Sequence, residues 1–155
     1  MAVVRSADRS ANRWARLPQL VISRVVLGVG VALLLLAALG SDGYSTFVNG
    51  LSLALDVSFV AVNCALGIVL VALAWWRGLV PGLGTIIQPL VVGATVSAVL
   101  SMVSAPQAVV SRVVVLAAAF VILSAGVAGY LGSGTGAGPT EAAALAFDPD
   151  RKSVV

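Results

Sequence analysis

Few residues in this chain are equipped for chemistry, and the most suggestive of them sit together. Arg77-Gly-Leu-Val-Pro-Gly-Leu-Gly-Thr85 is followed closely by Gln88 and Pro89. Glycines and a proline between two apolar runs make a tight turn. The helix that starts beyond it offers free backbone N–H groups. Those groups, with Arg77 beside them, can hold an anion. Arg77, Gly82, Gly84, Thr85 and Gln88 are therefore candidate substrate- or anion-binding residues. A plain helix-hairpin loop, whose glycines only permit tight turning, is the other reading of the same run. Asn63 joins the candidates, because Asn63 and Gln88 are the most polar side chains inside long apolar stretches. Such amides either bond between helices or face a solute.

Other chemistry is poorly supplied. The chain has no histidine and one cysteine, Cys64. A metal centre built from His and Cys is excluded within one chain, and no cofactor is implied. Cys64, in an apolar run, reads as a small buried hydrophobe. No acid–base pair lies within the apolar runs, so no catalytic residues are assigned and an enzyme is not expected.

The elements that must position the candidates are apolar helices. Hydrophobic residues make up 60% of the chain and charged residues 10%, whereas soluble domains carry roughly 25% charged residues. Stretches at 21–39, 57–76, 85–103 and 108–131 are each long enough to cross a bilayer, at about 20 residues per span. The fold expected is all-α: a polytopic membrane protein with about four transmembrane helices plus a short interfacial or re-entrant helix. A basic arm (1–20) precedes the transmembrane domain (21–131), and a glycine-rich segment and tail (132–155) follow it. Between the first two spans, Phe47, Val48, Leu51 and Leu55 fall on one helical face. That piece is too short to span. Asp56 is placed to cap the second span.

Orientation follows from the basic residues. Arg5, Arg9, Arg13, Arg16, Arg24, Arg77, Arg151 and Lys152 fall on one side of a four-span chain, and Arg112 on the other. Both termini are then cytoplasmic. Trp75, Trp76 and Arg77 mark an interfacial end of the second span. Arg5, Arg9, Arg13 and Arg16 form a stripe if helical. That stripe is either an arm held by anionic lipid or a disordered tail that enforces orientation. A cleaved signal peptide ending near Ala38-Leu39-Gly40 is a further alternative. The net charge of +3 is a topology signal and not one for nucleic acid.

Packing has its own signals. Pro89, one turn into the third span, is expected to kink or break it. Gly93, Ser97 and Ser101 continue at four-residue spacing, and Ala125 and Gly129 form a shorter version on the fourth span. Small residues at this spacing let helices approach closely, or line a cavity. Ser23-Arg24-Val25-Val26 recurs 88 residues later at Ser111, and Leu39-Gly40-Ser41 recurs 92 residues later at Leu131. An odd number of spans per unit would invert the second copy, a pattern common in transporters.

The run from Leu39-Gly40 through Trp75-Trp76-Arg77 to Pro81-Gly82-Leu83-Gly84-Thr85 and Gly93 resembles the YczE/YitT-type family of bacterial integral membrane proteins. Leu131-Gly132-Ser133-Gly134-Thr135-Gly136-Ala137-Gly138-Pro139, with Glu141 after it, resembles it too. The resemblance covers roughly residues 24–147 and implies a multi-pass protein of the bacterial plasma membrane, with no agreed substrate. The chain departs from it at Thr140, where the family carries Arg, and ends before the further spans usual there. It is thus expected to be a short form, a truncated product or a half that pairs, as a homodimer or with a partner membrane protein. Two functions follow: a small-solute transporter, resting on the repeat and the glycine-rich turns, or a non-transporting factor that supports another membrane protein. The second rests on the lack of acidic residues inside the spans, since proton-coupled transport uses one at depth.

Overall fold

The computed structural model describes residues 17–78, 83–133, 139–140 and 144. Among these residues the chain forms five helices: α1 (Leu17–Ala37), α2 (Gly43–Leu55), α3 (Phe59–Trp76), α4 (Leu83–Met102) and α5 (Val109–Ser133). All but α2 are long and apolar enough to cross a membrane. The protein is an all-α polytopic membrane protein. In hydrocarbon each backbone N–H and C=O must be satisfied within the chain, and a continuous helix does so locally. Residues 1–16 of the expected arm and most of the expected tail lie outside the described residues, while 17–20 belong to α1.

Helix α1 is the centre of the assembly. It packs on α5 along one flank and on α4 along the other, and α4 in turn packs on α3. The order across the layer is α5, α1, α4, α3, with α2 resting mainly on α3. Inside the protein, 61% of the α1 span is buried, against 28% for α3 and α4 and 17% for α5. Helices α3 and α5 form no packed interface with each other among the described residues.

Glycines set the tightest approaches. A Cβ on Gly126 would lie 2.7 Å from the Leu27 backbone nitrogen, and one on Gly30 would lie 2.9 Å from the Leu123 backbone. Gly129 meets Ser23. As positions rise along α1 their partners fall along α5, so the two run antiparallel. Gln19 Nε2 donates to Gly129 O at 3.2 Å across this seam. The same test places Val60, Asn63 and Gly67 of α3 against Ser97, Gly93 and Pro89 of α4. That pair is antiparallel too.

The loops and caps correct several expectations. Asp56 does not cap the second span: it closes α2 in a left-handed conformation (φ 53°), its N–H donating to Ser52 O. Asp tolerates that region better than most residues. Ser58 caps α3 instead, accepting from Ala61 N at 3.4 Å. Asp42 caps α2, its Oδ2 accepting from Ser45 N at 2.8 Å.

The buried face of α2 is Ser45, Val48 and Ser52, with Leu51 half-buried; Phe47 and Leu55 are exposed. The hydroxyls turn inward because partners lie there, as when Ser52 Oγ donates to Val57 O at 2.6 Å. Phe47 and Leu55 lose nothing by facing an apolar surrounding.

Pro89 does not break α4, which runs unbroken through it. Trp75, Trp76 and Arg77 are all exposed at the end of α3.

Candidate functional site

A cleft of about 440 Å³ opens beside α1 on the side where α3 and α5 stay apart. Leu27, Val31 and Leu34 of α1 form its back wall at helical spacing. Phe59 and Asn63 line it from α3, Gln88, Pro89 and Val92 from α4, and Phe120 and Leu123 from α5. Gly40, Ser41 and Asp42, with Tyr44 and Ser45, border it where α1 gives way to α2. Pro139 and Thr140 also reach it, with Pro139 buried. The volume falls within the roughly 300–1,000 Å³ typical of small-molecule sites, which are mostly apolar with a few placed polar groups.

The two amides singled out in the sequence come together here and differ in what they do. Asn63, buried, donates from Nδ2 to Pro89 O at 2.7 Å and accepts at Oδ1 from Tyr44 OH at 2.9 Å. It ties α2, α3 and α4 together, so both ends of its carboxamide are engaged within the protein. Gln88 lines the cleft with Oε1 buried and no hydrogen-bond partner among the described residues. An acceptor left so costs about 1–3 kcal/mol.

The floor of this network is tightly built. Gly67 receives the Pro89 ring, where an added Cβ would come within 2.6 Å. Gly93 lets α4 approach Val60 and Asn63, where a Cβ would sit 3.1 Å from each. Val60 N, a first-turn donor with no partner inside its own helix, donates to Ser97 Oγ at 3.2 Å. Tyr44 OH is held in its protonated form: burial above all, then the neighbouring Cys64 and Asp42, push its pKa above the ordinary 10.0.

The remaining candidates are placed elsewhere. Arg77 is exposed at the end of α3 and Thr85 is buried near the start of α4, and neither lines the cleft. Gly84 lies in the first turn of α4, and Gly82 lies outside the described residues. Of the packing residues, Gly93 and Ser97 face α3, whereas Ser101 is exposed and its hydroxyl donates to Ala98 O in its own helix at 2.8 Å. On α5 Gly129 faces α1, while Ala125 is exposed and Gly126 takes the role expected of it. On α4 a strict four-residue step drifts around a helix of 3.6 residues per turn, so the stripe leaves the interface by Ser101.

In sequence Arg24 is an orientation signal; in the structure it is fully buried, its guanidinium 3.8 Å from the centroid of the Tyr130 ring on α5. A cation over an aromatic face is attracted by the ring quadrupole, and more strongly once water is excluded. A basic residue seven positions into an apolar helix, rather than at its edge, was the available signal.

A model for a family of unknown function, DUF6198, matches residues 14–152. The chain belongs to the DUF6198 family. No curated protein and no solved structure matches the chain. The family membership spans all five helices and the cleft, so the site is part of what the match covers.

Proposed function

We propose that this DUF6198 protein, which resembles the YczE/YitT type, carries a small solute across a bacterial plasma membrane and takes it up in the cleft beside α1. The observation that carries this reading is a 440 Å³ cleft between spans that holds a buried amide acceptor, Gln88 Oε1, without a partner among the described residues. The antiparallel seam supports it: the two helices with matching Ser-Arg-Val-Val runs, α1 and α5, point in opposite directions, as inverted repeats do. Thr140, where the chain departs from the family it resembles, borders the same cleft. In this reading both termini are cytoplasmic, no catalysis occurs, and the lipid-facing helices pair with a second copy or with another membrane protein.

The second reading is a non-transporting factor that stabilises another membrane protein. None of the four spanning helices contains Asp or Glu, which leaves no carboxylate at depth for proton coupling. Solute flux into liposomes that hold only this protein separates the two. Flux above that of empty liposomes, lost in Gln88→Leu, supports transport; no flux for any small solute leaves the second reading. Impermeant labelling of cysteines introduced at Ser41 and Ser153 in intact cells checks orientation, with label expected at Ser41 alone.

A further inference from the structure

We infer that the cleft takes a compact amphiphile whose polar end is a hydrogen-bond donor, neutral or cationic, and that it discriminates against anions. The inference rests on the cleft being a ligand site, as proposed above, and adds the class of ligand.

Three observations lead to it. The first is the free group: Gln88 Oε1 is an acceptor, buried and unpartnered. The second amide does not compete for the ligand, because Asn63 has given its N–H to Pro89 O and its oxygen to Tyr44 OH. The third is charge. Among the described lining residues Asp42 is the one with a formal charge, and it is negative. Its Oδ2 accepts from Ser45 N at 2.8 Å as the cap of α2, which fixes the carboxylate at the cleft's polar border. Arg24 is not a lining residue; its guanidinium faces the Tyr130 ring. Arg77, the cation expected near an anion, lies exposed at the end of α3.

The walls set the rest of the ligand. Leu27, Val31, Phe59, Val92, Phe120 and Leu123 offer alkyl and aromatic surface. A matching molecule has an apolar body and one donor head. An anion would bring further negative charge to a site that already holds a buried acceptor and the Asp42 carboxylate, with no lining cation among the described residues to offset its lost hydration.

The test is equilibrium binding to the purified full chain in mild detergent, by titration calorimetry, with hexylammonium, hexanol and hexanoate as probes of equal apolar length. Hexylammonium is expected to bind most tightly, hexanol next, and hexanoate at least tenfold more weakly than hexylammonium. Gln88→Leu should weaken hexylammonium and hexanol by about tenfold. Asp42→Asn keeps a good helix cap and should weaken hexylammonium alone, which separates charge selection from partition into detergent. Hexanoate binding as well as hexylammonium, or indifference of both donors to Gln88→Leu, overturns the inference. If the selectivity holds while liposome flux is absent, the ligand class stands and the transport reading falls.

Discussion

Against α5, helix α1 presents Gly30 and Ser23 to Leu123 and Gly129, and not even a methyl group fits between them. Beside that seam the same helix turns Leu27, Val31 and Leu34 to an open cleft, which Phe120 and Leu123 of α5 also line. The seam is held by close approach, the Gln19–Gly129 hydrogen bond and one cation over a ring. The cleft is held by hydrogen bonds that stop short of satisfying every group. In lipid, burying apolar surface between helices gains little over leaving it in hydrocarbon, so close packing and polar contacts must supply the association. The seam relies on the first and the cleft wall on the second. Substitutions should therefore act by different rules on the two sides.

The largest effect is expected at the seam. Gly126→Leu should not yield a folded protein, and Gly126→Ala should destabilise it by about 1–3 kcal/mol through overpacking. Gly50→Ala is the control, because nothing lies near its Cβ position. It should leave the melting temperature in detergent unchanged or raise it. Equal melting temperatures for Gly126→Ala and Gly50→Ala would remove the distinction on which the comparison rests.

Next is the buried cation. Tyr130→Leu keeps the volume apolar but takes away the ring under Arg24, and should destabilise by about 2 kcal/mol. Arg24→Leu in the same background should recover part of the loss. A purely additive double variant would show that ring and guanidinium do not interact.

Across the cleft the two amides should part. Asn63→Leu removes bonds to Pro89 O and Tyr44 OH and leaves both groups buried, at about 1–3 kcal/mol. Gln88→Leu removes an orphaned acceptor and should be neutral or slightly stabilising, while it weakens ligand binding. Melting curves of the two variants decide this, and a larger loss for Gln88→Leu would reverse the roles assigned here.

The smallest effect concerns pH. The Tyr44 pKa is raised in the folded state, so the folded chain holds its proton more tightly than the unfolded one. Stability from this group is complete below about pH 10 and falls as pH rises through the raised folded value. Tyr44→Phe should lose about 0.5–1.5 kcal/mol at neutral pH and lack that part of the alkaline fall. Melting in parallel at neutral and alkaline pH measures the difference.

How much of this was legible beforehand depended on the kind of interaction. The spans were plain, because long runs without charge have one use in a chain this apolar. The observed helices differ from the expected runs by a few residues at their ends, where caps decide. Asp56 shows why: an Asp before a helix and an Asp after one look alike in sequence, and only the backbone conformation separates them. That Asn63 and Gln88 stand out together is visible as polarity within apolar runs. Their division of labour was not, since it depends on Pro89 O and Tyr44 OH arriving from other helices. Small residues pointed to the right helix faces but not the right register, as Gly126 beside Ala125 shows. The glycine-rich turn points in sequence toward Arg77, yet among the described residues of that turn none lines the cleft.

The pairing of Arg24 with Tyr130 also has a consequence for biosynthesis. Of the five described helices α1 leaves the ribosome first, and the ring that faces its guanidinium belongs to α5, the last of the five. At about 5–20 residues per second, roughly 5–20 s separate the two. Throughout that interval the helix at the centre of the final assembly carries a charge whose aromatic cover has not yet been made. Its lasting burial in the bilayer is therefore a late event in translation, coupled to the arrival of α5.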